Sequence, residues 1–378
     1  MSVSFWGMRW SAALIGGLLL TGIGGSACTS SGSSEVEDAP APSSVAEPSV
    51  AVPDSARLWA VTLDAREPPT PDDLDRIAAL GTTHLTLIPF GFQRTADTPR
   101  IRLNTDAGWY SESDAGIRTL AQEAADRDMG LVLKPHLWLG SYDTDGQERN
   151  AIGFDTEAEW TEWEAAYTRF LVHYARLARD VEADVLVVGT ELARAAHERP
   201  DFWRALIDTV RTVYDGDLTY AANWYDEYET IPFWDALDYI GVQAYFPLAD
   251  AQNPSTNALV QGWDTHVEAL SEVAARAERP VLFTEVGYRS VKTAAAEPWV
   301  WPDRNADDSS SHAPELQARL YQALFARFRD VPWFAGAVLW KWHPAHSADR
   351  PQGFTPQDKP AEDVIRRGFR QQDSGVTP

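Results

Sequence analysis

A parallel (β/α)8 barrel, the TIM-barrel class, is the fold this chain predicts, and three observations predict it. Eight apolar runs of strand length recur along the chain. Amphipathic helical patterns separate them, and strand alternating with helix builds a parallel sheet. No repeat and no second linker divides residues 57–373, so all eight units belong to one domain. Neither a Gly-x-Gly-x-x-Gly after the first run nor a phosphate-binding loop occurs, which leaves a nucleotide-binding sheet without support.

The chain begins outside that domain. Within residues 1–27 a single positive residue, Arg9, precedes an apolar, Gly-rich run at 11–25 that is too short to span a membrane comfortably as a mature helix, and this reads as a secretory signal. The run ends at Gly25-Ser26-Ala27-Cys28, and Cys28 is the one cysteine of the protein. The segment resembles a bacterial lipobox, which implies a lipid on Cys28 and a membrane-anchored protein of the cell envelope, periplasmic or on the outer surface. An ordinary signal peptide cut after Ala27, leaving a free thiol, is the alternative. Residues 28–56 are Ser, Pro, Ala, Glu and Asp with almost nothing to bury, so they predict a disordered tether.

Residues 57–63, 84–90 and 130–136 are the first three predicted strands; 184–191, 217–223, 237–245, 280–286 and 334–340 complete the eight. Helical spacing of Ala, Leu, Glu and Arg at 114–127, 156–179, 257–278 and 314–329 supplies outer helices. Residues 90–110, 140–154 and 289–313 are long connections after strands two, three and seven, placed to add specificity at the rim. Trp109, Trp138, Trp299 and Trp301 lie in or beside them. Sixteen tryptophans is a high count, and flat aromatic faces stack on sugar rings, although most tryptophans in any protein pack a core.

Active sites of such barrels lie at the C-terminal ends of the strands. The fourth strand ends in Glu191 and the seventh in Glu285, each closing an apolar run where a buried charge is costly unless paired. Between them there is room for roughly three strand-helix units of about 30 residues, so the two glutamates share one rim from opposite strands. Counting by twos from Glu285 through Phe283 to Val281, and from Glu191 through Gly189 to Val187 and Val185, predicts that both carboxylates point into the barrel. Two carboxyl groups about 5–5.5 Å apart can cleave a glycosidic bond with retention, one as acid and then base, the other as nucleophile. Spacing does not fix which is which, and pairing of either glutamate with Arg194 or Arg289 is the structural alternative.

Five stretches run through most of the predicted barrel: Lys134-Pro135-His136-Leu137-Trp138, Trp160 to Trp163 with Tyr167, Tyr174 and Ala175, Val188-Gly189-Thr190-Glu191-Leu192, Phe283 to Ser290, and Trp340 to Pro344 followed by Gly353 to Pro356 and Lys359-Pro360. On these the chain resembles the large clan of retaining (β/α)8 glycosidases and, more narrowly, glycoside hydrolase family 113, characterised as β-1,4-mannanases. The resemblance implies acid/base for Glu191 and nucleophile for Glu285. It implies that Tyr245, at the end of strand six, hydrogen-bonds the nucleophile. Much of the clan carries Asn before the acid/base, where this chain has Thr190, so Asn223 at the end of strand five is the candidate donor to the sugar 2-hydroxyl. A turn-forming Asn is its bland reading.

Trp340, ending strand eight, is the candidate floor under the sugar, with Trp342 packed elsewhere. Lys134 points into the barrel toward a carboxylate, and His136, nearer the rim, is placed to meet a sugar hydroxyl. Trp138 is a candidate stacking residue. His343, His346 and Asp349 lack any established ligand spacing, and two carboxylates hydrolyse a glycoside without a metal, so neither metal nor cofactor is predicted.

A net charge of −24 disfavours nucleic acid and anionic polysaccharides as partners, though a saline habitat accounts for an acidic surface equally well. A monomer acting on a neutral β-linked polysaccharide or oligosaccharide fits better. The leading reading is an endo-acting, retaining β-1,4-mannanase. The alternatives are a retaining β-glycosidase for another neutral β-glycan, glucan-like, or an exo-acting enzyme, and a non-catalytic glycan-binding lipoprotein, whose signature would be loss of a catalytic glutamate.

Overall fold

The computed structural model describes residues 50–103, 105, 108–140, 148–300, 311–344 and 351–370. Cys28 and Trp301 lie outside them, as do His346 and Asp349. In chain order the elements are β1 (Leu58–Leu63), α1 (Pro71–Ala78), β2 (His84–Leu87), β3 (Phe90–Gln93), β4 (Ile101–Leu103), α2 (Asp114–Ala125), β5 (Gly130–Leu133), β6 (His136–Leu139), α3 (Glu157–Asp180), β7 (Val185–Thr190), α4 (Ala193–Glu198) and α5 (Pro200–Arg211). There follow β8 (Asp217–Asn223), β9 (Tyr239–Gln243), α6 (Thr256–Gly262), α7 (Asp264–Ala277), β10 (Val281–Val286), α8 (Pro314–Phe328), β11 (Phe334–Trp342) and α9 (Pro360–Arg370). Strands β1, β2, β5, β7, β8, β9, β10 and β11 close into a barrel, every neighbouring pair parallel.

Local sequence sets the helix starts. Thr70 and Asp73 form a reciprocal capping box before Pro71, and the Ser113 and Thr156 side chains accept from the third amide of α2 and α3. The helices bury Leu, Val and aromatic residues against the outer face of the barrel. On α3, Trp163 stacks on Tyr167 with ring centroids 4.9 Å apart, and the Trp163 indole donates to Gln93 at 3.0 Å. The aromatic motif from Trp160 to Tyr174 is therefore packing. Inside the barrel a smaller cluster including Ala60, Val132, Val185, Val187 and Leu282 fills the floor.

Three predicted strands are shorter than expected, and the run at 237–245 keeps only Tyr239–Gln243, which leaves Tyr245 two residues beyond the strand end. The runs at 84–90 and 130–136 each break at a proline, Pro89 and Pro135, which has no amide hydrogen to continue the ladder. Beyond the break the two chains stay side by side as β3 and β6, paired in parallel, with β4 antiparallel on the other edge of β3. Part of what reads as rim loop is thus a three-stranded sheet standing above the barrel, and His136 opens β6 rather than ending a barrel strand.

The alternation rule also fails near the rim. Phe283 and Val281 face the helices, Phe283 stacking on Trp263 at 5.9 Å, while Leu282 lies in the inner cluster. Gly189 likewise faces outward, since a Cβ there would meet Trp203 and Tyr220. The cause is an extra residue in each strand. Between Val187 and Thr190 β7 advances three residues against two on β8, and between Phe283 and Glu285 β10 advances two against one on β9. A bulge re-aims the side chains that follow it. β11 carries the same irregularity before Trp342, which is why Trp340 is half-exposed and Trp342 is fully buried in the outer core.

Candidate active site

Glu285 sits just after the bulge of β10 with both carboxylate oxygens held. Lys134 Nζ donates to Oε1 at 2.6 Å, and the Tyr245 hydroxyl donates to Oε2 at 2.7 Å. Lys134, at the end of β5, is 1% exposed and spends its other two protons on Gln243 Oε1 at 2.8 Å and the Thr284 carbonyl at 3.1 Å. Burial pulls its pKa below the ordinary lysine value, opposed by Glu285. Tyr245 is pushed well above the ordinary phenol value by burial and then by Glu285, so it stays protonated and serves as a donor.

Glu191 follows the bulge of β7 in the left-handed region, at φ 53°, a costly conformation for a residue with a side chain. Arg149, from a short turn at Arg149–Ala151 after β6, donates to Glu191 Oε2 at 2.6 Å. Burial lowers the pKa of Arg149, yet Glu191, joined by Glu285 and Glu148, offsets this and the net direction is upward. The Gln243 amide reaches Glu191 Oε1 only at 3.4 Å. Gln243 therefore links Glu191 to the lysine that holds Glu285: its oxygen accepts from Lys134 and from Thr284 Oγ1 at 3.2 Å, and its amide faces Glu191. Arg194 and Arg289 are not the partners; Arg194 pairs with Glu198 at 2.7 Å and Arg289 donates to the Val300 carbonyl.

His136 lies against this network. Arg149 Nη1 stands 3.1 Å from His136 Nδ1, and because a guanidinium can only donate, Nδ1 is the acceptor and the proton sits on Nε2. Burial, then Arg149, Lys134 and Lys341, hold the imidazole well below its ordinary pKa, so the ring is neutral. Its Nε2–H is buried and has no partner among the described residues. Phe90 packs edge-on to both His136 and Trp138, the latter half-exposed on the same face of β6.

Asn223 is buried at the end of β8, where Nδ2 donates one of its two hydrogens to Glu227 Oε2 at 3.1 Å. Its Oδ1, an acceptor, has no partner among the described residues. Thr190 Oγ1 is also buried with no partner among the described residues. Trp340 has its ring under Lys341 at 4.8 Å, and Lys341 pairs with Asp64 at the end of β1. Trp299 stacks on Trp224 at 5.0 Å, both half-exposed. Among the described residues no group of three or more His, Cys, Asp and Glu side chains could hold a metal ion.

Gln243, Arg149 and Glu227 join this cluster without having been expected there. Gln243 carries a usable signal, the last barrel position of its strand. Arg149 has none, since nothing in a loop sequence says which strand end it will reach.

The profile of Glycoside Hydrolase Family 113 matches residues 61–359, from the first barrel strand to the turn before α9. The chain belongs to glycoside hydrolase family 113. It is accordingly a glycoside hydrolase. Among solved structures it is similar to the family 113 β-mannanase AaManA from Alicyclobacillus acidocaldarius, determined with ManMIm, at 28% identity and TM-score 0.71 over 84% of this chain and 98% of that one. A family 113 β-1,4-mannanase determined as a complex shares the fold at 24% identity and TM-score 0.69, over 83% of this chain and 99% of the other. Among curated proteins none matches.

Proposed function

We propose that the protein is a retaining endo-β-1,4-mannanase with Glu285 as nucleophile and Glu191 as acid/base. The observation that carries the assignment is the grip on Glu285 by Lys134 and Tyr245 at 2.6 and 2.7 Å. Two charge-assisted hydrogen bonds fix the carboxylate in place and aim its attacking oxygen. In the first step Glu285 attacks the anomeric carbon and the glycosidic oxygen leaves with a proton from Glu191. In the second, Glu191 takes a proton from water, whose oxygen displaces Glu285. Neutral His136 offers Nε2–H and Asn223 offers Oδ1 to sugar hydroxyls, with Trp340 beneath the ring. Mannan as the substrate rests on the similarity to family 113 β-mannanases.

The test is product analysis against a panel of neutral β-glycans. Release of manno-oligosaccharides of several lengths, with the β-anomer first in the proton NMR spectrum, is the expected result. Preferred cleavage of a β-glucan overturns the sugar, and an α-anomer formed first overturns retention. We also propose that residues 1–27 export the chain and that Cys28 is acylated. The mature protein should then show a lipid mass on its N-terminus, and an unmodified Cys28 thiol would remove the anchor.

A further inference from the structure

Glu227 is a buried carboxylate with no part in the two steps above. It lies in the turn after β8, 1% exposed, and accepts three hydrogen bonds. The Asn223 backbone amide donates to Oε2 at 2.7 Å, Asn223 Nδ2 donates to the same oxygen at 3.1 Å, and the Tyr220 hydroxyl donates to Oε1 at 2.5 Å. A phenol has one proton, and here it goes to Glu227. The Tyr220 oxygen is then free to accept, and the Leu192 amide donates to it at 2.6 Å.

That last amide belongs to the peptide immediately after Glu191. The Glu191 amide itself donates to the Ala221 carbonyl at 2.9 Å. Both peptides flanking Glu191 are thus tied to β8, one through backbone and one through the Tyr220 phenol, and Glu227 orients that phenol. These ties hold a residue whose φ of 53° is unfavourable and would otherwise relax. Burial pushes Glu227 up to about 7, with the nearby Glu191 charge adding to it.

We propose that Glu227 is a positioning residue for Glu191, acting through Tyr220 on the Leu192 amide, and that it fixes the Asn223 amide with Oδ1 left to accept. This rests on Glu191 being the acid/base. A misaimed acid matters only when the leaving group needs a proton. The full chain, Tyr220→Phe and Glu227→Gln are compared by kcat/KM, which reports the glycosylation step, on phenyl and 2,4-dinitrophenyl β-mannobioside, with Glu191→Ala as control. Tyr220→Phe keeps the ring in the core and removes one oxygen. For both variants the expected loss on the phenyl substrate exceeds that on the dinitrophenyl substrate by about tenfold or more. Equal losses on both substrates, as a general packing defect gives, or no loss on either, overturn the relay. If Glu191→Ala shows the dependence and the two variants do not, only the relay falls. If Glu191→Ala loses equally on both, the acid/base reading falls and takes the relay with it.

Discussion

Glu285 and Glu191 end equivalent apolar strands, yet their surroundings are built on different principles. Glu285 is held at both oxygens by side chains from the barrel wall and from just beyond β9, Lys134 and Tyr245, with contacts of 2.6 and 2.7 Å. Glu191 has one close side-chain partner, Arg149, which arrives from a turn, and a distant one at 3.4 Å in Gln243. Its aim comes instead from the backbone, through the two peptides tied to β8. The difference fits the two proposed tasks. A nucleophile works in one ionisation state and gains from rigid side-chain contacts, whereas an acid/base must give up and retake a proton and is better fixed from behind.

Glu285 carries the largest expected effect. Glu285→Ala should cut kcat on β-mannan by about 10⁴-fold or more, followed as reducing-sugar release; activity close to that of the parent would mean the firmly held carboxylate is not the nucleophile. Glu191→Ala should cost about 10²–10⁴-fold on mannan, and azide should rescue its turnover of 2,4-dinitrophenyl β-mannobioside as a glycosyl azide of retained configuration. An inverted azide would exchange the two roles.

Lys134→Met sharpens the contrast in stability. Removing one partner of a buried ion pair costs about 3–5 kcal/mol, read as a lower urea midpoint, and here it also leaves Gln243 without its strongest donor. A variant as stable as the parent would show that Lys134 is not holding Glu285. Tyr245→Phe deletes one donor to a charged group, worth about 1.5–3 kcal/mol, so kcat/KM should fall by about 10- to 100-fold with little change in melting temperature. Loss of fold in that variant would assign the tyrosine to the core instead.

The smallest effect concerns the carboxylate behind Glu191. Burial raises Glu227 from 4.5 to about 7, so between those values the native state keeps a proton that the unfolded chain has lost. Its contribution to stability is complete below pH 4.5 and is lost as the pH rises through 7. Glu227→Gln does not titrate. The melting temperature of the parent should therefore fall relative to that of the variant over this range, and parallel curves would show that Glu227 ionises normally.

Much of this architecture is legible in the sequence because barrel strands are local signals. The eight apolar runs, the helical spacing between them and the two terminal glutamates are properties of short windows, and the closed barrel follows from their number. Pro89 and Pro135 mark the strand breaks in the sequence too, since a missing amide hydrogen is local chemistry. Other features are not local. An extra residue in β7, β10 and β11 is visible only against the neighbouring strand, so counting by twos gives the wrong face for Phe283 and Gly189 while both carboxylates still meet the same polar cluster.

Short windows of sequence suffice for the fold class and for Glu191 and Glu285 at the ends of their strands, because burial periodicity and the cost of an unpaired charge are written residue by residue. His136, by contrast, opens β6, and Tyr245 lies two residues past β9. The partners come from the folded chain: Lys134 on Glu285, Arg149 on Glu191, Gln243 between Glu191 and Lys134, and Glu227 on the Asn223 amide. The contacts of Lys134, Arg149 and Gln243 join segments far apart in the chain and are set by closure of the sheet, whereas Glu227 meets Asn223 within one turn, four residues away.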